Sequence, residues 1–123
     1  MLEIKENPDK SGYSGIKGKN GDFHVTEALE NGKVTGFIAY AYENDRTVIY
    51  DYDDGKDLML CDGLVRSVML KSLMKNIETV FFDIPESSKY DNLKKLGFLS
   101  GESKICGDID SFMDSCGSCR HGK

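Results

Sequence analysis

Three turn dipeptides, Asn20-Gly21, Asn31-Gly32 and Asn44-Asp45, divide the first half of the chain into β-rich runs. Asn-Gly is the strongest short hairpin signal, because a type I′ turn needs positive φ at both central residues. The spacing predicts strands over residues 23–30, Lys33–Glu43 and Arg46–Asp53, joined as an antiparallel meander. Within Lys33–Glu43, Val34, Gly36, Ile38, Tyr40 and Tyr42 alternate with Thr35, Phe37, Ala39 and Ala41. Both sets are apolar, which predicts a central strand covered on both faces. Along Arg46–Asp53, Val48, Tyr50 and Tyr52 are expected on one face, with Thr47, Ile49, Asp51 and Asp53 on the other. The glycine-containing stretch 11–18 suggests a short edge strand.

The second half changes period. Between residues 57 and 75 the polar positions Asp62, Arg66, Lys71 and Lys75 recur at helical spacing and make one narrow stripe. Nearly everything else there is Leu, Val, Met or Cys, so the helix is expected to be covered on most sides, by the sheet and by a second copy of the chain in a homodimer. Residues 77–84 read as a buried strand stopped by Pro85. Ser87 or Ser88 then caps a second helix whose apolar side is Tyr90, Leu93 and Leu96. Gly97 supplies its C′ residue and Phe98-Leu99 begins the last strand. Strand, helix and strand in succession imply a parallel βαβ unit. The expected fold class is α/β (α+β): a mixed sheet whose antiparallel N-terminal meander continues into a βαβ unit and then α-β.

At 123 residues the chain has room for one domain, expected over 1–105, followed by a cysteine-rich tail over 106–123. The net charge of −5 speaks against a duplex nucleic-acid binder, which normally presents a basic face. The N-terminus has no apolar signal region, and no stretch approaches the roughly 18 apolar residues of a membrane span. A cytoplasmic location follows as the expectation, with thiols reduced or bound to metal rather than paired.

Three of the four cysteines, Cys106, Cys116 and Cys119, lie near the C-terminus. Cys116-Gly-Ser-Cys119 can chelate a soft cation such as Zn or Fe, with Cys106 or His121 as third ligand and Cys61 as fourth. A redox pair and unpaired thiols are the alternatives, and no helix follows the pair to activate the first thiol. The acidic run Asp51-Tyr-Asp53-Asp54-Gly55-Lys-Asp57 fails the calcium-loop pattern, since its glycine is fifth rather than sixth. Cys61 reads as a small core residue, and His24 as an exposed strand residue.

The order of elements resembles the GCN5-related N-acetyltransferase (GNAT) superfamily. The matching pieces are Asn31-Gly-Lys-Val-Thr-Gly-Phe37, Gly63-Leu-Val-Arg66 in the long helix, and Asn92-Leu-Lys-Lys-Leu-Gly-Phe98. The resemblance implies acetyl-CoA as a small-molecule acyl donor. It places the pyrophosphate on the turn into the long helix, where glycines leave backbone N–H groups open to an anion. The aligned residues here are Lys56, Met59, Leu60, Cys61, Asp62, Gly63 and Leu64. Met59 and Cys61 stand where glycines are expected, and Asp57 and Asp62 bring negative charge. Leu93 occupies the place of the tyrosine that protonates the leaving thiolate in many members; Tyr90, one turn earlier, is the substitute candidate, against a plain core role. Only 22 residues precede Phe23, so the family's N-terminal helices have no room. The resemblance therefore implies either a divergent acyl-CoA-dependent N-acetyltransferase of unknown acceptor or a non-catalytic module on the same scaffold.

Overall fold

The computed structural model describes residues 2–9, 11–13, 15–16 and 23–110. Among them lie β1 (Leu2–Asn7), β2 (His24–Glu30), β3 (Lys33–Glu43), β4 (Arg46–Asp53), α1 (Leu58–Met74), β5 (Val80–Phe82), α2 (Lys89–Lys95) and β6 (Ile105–Cys106). The strands form one sheet in sequence order, antiparallel throughout except for the parallel pair β4–β5. Asn31 and Gly32 have φ of 54° and 84°, the left-handed pair that a tight hairpin demands. The Asn20-Gly21 turn lies outside the described residues.

Both faces of β3 are buried, as its double apolar pattern requires. Ile38 and Tyr40 join the main core with residues of α1 and α2, including Leu64, Val65, Val68, Met69 and Leu93. Ala39 and Ala41 belong to a second core with Phe23, Val25, Val48 and Tyr50, against which Tyr13 and Ile16 pack. Each large side chain so buried contributes about 1.5–3 kcal/mol from water exclusion.

The alternation expected along β4 breaks at one residue. Tyr40 pairs with Ile49 and Ala39 with Asp51, which leaves Tyr50 as an extra residue in a bulge. Tyr50 stays with the second core, while Tyr52 is turned onto the helix face beside Ile49. The C-terminal end of β4 is thereby re-aimed. Gly36 of β3 crosses beneath it so closely that a Cβ there would lie 2.5 Å from the Asp53 carbonyl oxygen and 3.0 Å from Leu60.

Three other expectations are corrected. The N-terminal edge strand is Leu2–Asn7, and Ser11–Tyr13 forms a 3₁₀ turn instead. The strand expected over 77–84 shortens to Val80–Phe82. The last strand is Ile105–Cys106, not Phe98-Leu99, because 99–104 are spent on turns. α1 packs one side on the sheet, as expected, and within the single chain Met59, Leu70 and Met74 remain 77%, 54% and 77% exposed, which leaves the expected cover by a second copy open. Cys106 and Ile109 are buried in the main core.

Candidate functional site

Parallel strands β4 and β5 stay paired over Thr47–Val80, Val48–Phe81 and Ile49–Phe82. One further hydrogen bond runs from the Asp83 amide to the Ile49 carbonyl at 2.8 Å. Beyond it β4 continues to Asp53, while the other chain passes Pro85 toward α2. The strands thus open at their carboxyl ends, where α/β sheets usually place ligands. Two cavities meet this opening. The larger, about 490 Å³, is lined by Tyr52, Asp54, Lys56, Ser88, Asn92 and Lys95 among others. The smaller, about 400 Å³, is lined by Ile16, Tyr50, Asp51, Asp83 and Pro85. Since Tyr52 faces the helices and Tyr50 the second core, the cavities lie toward opposite faces of the sheet.

Lys89, the first residue of α2, links their linings. It lines the larger cavity, and its Nζ donates to Asp51 Oδ1 at 2.7 Å and to the Tyr52 carbonyl at 2.5 Å. The Tyr52 hydroxyl donates back to the Lys89 carbonyl at 2.7 Å.

The turn into α1 satisfies its own amides. Asp53 Oδ1 accepts from Gly55 N–H and Asp54 Oδ1 from Lys56 N–H, both at 2.9 Å. Asp57 caps the helix, its Oδ1 accepting from Met59 at 3.0 Å and Leu60 at 3.3 Å. Its carboxylate therefore stands where an anion would meet the positive end of the helix. The turn is fixed further by left-handed Gly55 and Lys56, with φ of 58° and 64°. The cradle of open backbone donors implied by the resemblance is absent in this segment. What remains for an anion is side-chain charge: Lys56 and Lys95 both line the larger cavity.

Of the seven residues aligned with a coenzyme loop, only Lys56 lines that cavity. Leu60, Cys61 and Leu64 are buried in the main core. Met59 and Gly63 line a different cavity of about 440 Å³, with Leu2 and Ile4 of β1. Asp62 is paired with Arg66 one turn later at 2.9 Å.

Tyr90 is committed to structure. Its hydroxyl donates to the Phe82 carbonyl and accepts from the Ile84 amide, both at 2.9 Å, locking α2 to the chain leaving β5. Burial pushes the Cys61 thiol up to about 11 despite a hydrogen bond with Tyr52, so it stays protonated at neutral pH. Burial likewise raises Cys106. Among the described residues no cluster of three potential metal ligands occurs; Cys116, Cys119 and His121 lie outside them. His24 is more engaged than a plain exposed residue, with Nδ1 2.9 Å from the Glu6 carboxylate and its ring stacked on Tyr40. Among the described residues no helix is long and apolar enough to cross a membrane.

No local signal marks Lys89, whereas Asp51 stands in the acidic run that fails the calcium pattern and Asn92 and Lys95 lie in the stretch ending Leu-Gly-Phe98. Asp51 and Lys89 are 38 positions apart, and nothing local pairs them.

No family model and no curated protein matches this chain. Solved structures do. One is the ribosomal-protein-S18-alanine N-acetyltransferase from Escherichia coli, 12% identical over 82% of this chain and 79% of that one, TM-score 0.59. Another is an acetyltransferase of the GNAT family from Staphylococcus aureus MU50, 13% identical over 78% and 79%, TM-score 0.56. A third is the PaiA N-acetyltransferase from Thermoplasma acidophilum in complex with coenzyme A, 16% identical over 71% and 60%, TM-score 0.52. At these identities the likeness is one of fold.

Proposed function

We propose, on the premise that this chain has the fold of the GNAT acetyltransferases, that it is a divergent acyl-CoA-dependent N-acetyltransferase. The observation that carries this reading is the 490 Å³ cavity at the β4–β5 opening, large enough for a cofactor arm and lined by Lys56, Lys89 and Lys95 alongside Asp53, Asp54 and Glu86. Acetyl-CoA would supply an acyl group activated as a thioester. In this reading Lys56 and Lys95 meet the pyrophosphate with side-chain charge in place of backbone amides, and Ser88 and Asn92 offer neutral hydrogen bonds. Asp51 and Asp83, at the smaller cavity, favour a cationic amine arriving from the opposite face. Residues through Asp110 belong to the catalytic body in this proposal, and the later cysteines to an appended tail.

The test is isothermal titration with acetyl-CoA, supported by a thermal-shift series. The expected result is one site with a Kd on the order of 100 µM, weak because the turn amides are already taken. No heat and no thermal shift at millimolar acetyl-CoA would overturn it.

One observation favours a second reading, a non-catalytic module on the same scaffold. The helix cap of Asp57 and the Lys89–Asp51 pair both occupy groups a coenzyme would need. That reading predicts silence in the same titration and full silence in a free-thiol release assay with any amine.

A further inference from the structure

One ion pair links the linings of the two cavities. Lys89 lines the larger cavity, and its Nζ is held by Asp51, which lines the smaller, and by the Tyr52 carbonyl. Both members of the ion pair are about a quarter exposed, at 23% and 25%, so the contact is reachable from solvent. Lys56 and Lys95 line the same cavity but form no ion pair with a described residue. Lys89 alone combines three features: an amine at the strand opening, a carboxylate at proton-transfer distance, and a place on the wall of the cavity assigned to the acyl donor.

We propose that Lys89 is itself an acyl acceptor, so that the chain acylates itself at this lysine. The proposal rests on the acyl-donor reading of the larger cavity. In the step, Lys89 Nζ gives one proton to Asp51 and attacks the carbonyl carbon of an acyl thioester. The N–C bond forms and the C–S bond breaks, leaving a thiolate. The nitrogen loses a second proton to that thiolate, and Asp51 returns the first to water. An ammonium and a thioester thus become an amide, a thiol and one released proton, with no oxidant or reductant involved. The amide carries no charge, so the ion pair with Asp51 that links the two linings is lost.

The experiment uses the full chain with two donors: acetyl-CoA, and S-acetyl-N-acetylcysteamine, a thioester without nucleotide or pyrophosphate. Acetyl-lysine is mapped by peptide mass spectrometry over time, with the twelve other lysines as internal references. Lys89 is expected to be modified at least tenfold faster than their mean. Asp51→Asn should lower the Lys89 rate at least tenfold and leave the other lysines unchanged; its melting curve reports whether the variant remains folded. Lys89→Arg, which preserves the ion pair, should abolish the dominant mass shift. Independently of turnover, the Lys89-acetylated protein should melt at lower temperature than the unmodified chain, because the ion pair is gone. Modification of Lys89 at the average rate with both donors overturns the proposal, even if titration detects acetyl-CoA; the donor site then stands alone. Selective modification by the truncated thioester, with no acetyl-CoA binding, supports Lys89 as acceptor and removes the coenzyme reading instead.

Discussion

Replacing Tyr90 by Phe separates a catalytic tyrosine from a structural one, because it removes a single oxygen. That oxygen donates to the Phe82 carbonyl and accepts from the Ile84 amide, both at 2.9 Å and both in buried surroundings. Each net hydrogen bond is worth about 1 kcal/mol, and stranding its buried partner adds to that, so the loss should total about 2–4 kcal/mol. A chain of 123 residues unfolds with an entropy near 0.26 kcal/mol/K. The melting temperature should therefore fall by about 8–15 °C. Differential scanning calorimetry of the two proteins measures it, and denaturant titration with unchanged slope confirms that the native state is the one affected. Affinity for acetyl-CoA at a temperature well below the transition should not change. A Tyr90→Phe protein as stable as the parent, with acyl transfer reduced a hundredfold, would refute this assignment and return Tyr90 to the chemistry.

Other expectations follow from the same contacts. Asp57→Ala should cost about 1 kcal/mol in stability as a lost helix cap, yet bind acetyl-CoA more tightly, since the carboxylate competing for the helix end is gone. Opposite signs in calorimetry and titration are the signature, and Asp57→Ser should recover the stability. Cys61, its thiol raised by burial to about 11, should resist iodoacetamide at pH 8 in the folded protein and react on unfolding. Above pH 9 the unfolded thiol ionises while the folded one does not, so stability should fall between pH 9 and 11, and fall less in Cys61→Ala. At Glu6 burial alone would raise the pKa, but the hydrogen bonds and charges of His24 and Lys71 outweigh it and lower it. Its carboxyl should titrate below 4.5 by NMR, and the stability it confers, present above that value, should fade as pH drops through the folded midpoint; His24→Ala should move the midpoint upward.

The elements that sequence revealed are those with a strong local cause. Asn31-Gly32 dictates its hairpin, Asp57 the start of α1, and left-handed Gly97 the end of α2. The elements it missed depend on partners far away. β1 is an edge strand with polar Glu3 and Lys5 among its residues, held by antiparallel pairing to β2 rather than by its own pattern. The bulge at Tyr50 adds one residue to a run that is β-rich either way, so the alternation gave Tyr52 the wrong face. For the site, the departures at Met59 and Cys61 were visible in sequence, and their physical consequence was not. Met59 and Gly63 line a cavity with β1, Cys61 is buried, and in the proposed reading the coenzyme-facing role falls to Lys56, Lys95 and Asn92.

The same contacts that stabilise the site without ligand oppose occupation of it. The Asp57 cap is worth about 1 kcal/mol. The partly exposed Lys89–Asp51 pair is worth at most about 1 kcal/mol. A ligand that displaced both would forfeit about 2 kcal/mol, close to thirtyfold in affinity. Such a penalty weakens binding without forbidding it. It also falls unequally on the two parts of a coenzyme. In the proposed reading the Asp57 carboxylate borders the neighbouring cavity and bears on the nucleotide end from there, whereas the acyl end meets Lys89, whose charge acylation would remove. On that reading the chain disfavours the pyrophosphate more than the thioester, and its recognition would be concentrated at the β4–β5 opening rather than at the helix end, the reverse of what a glycine-rich turn would give.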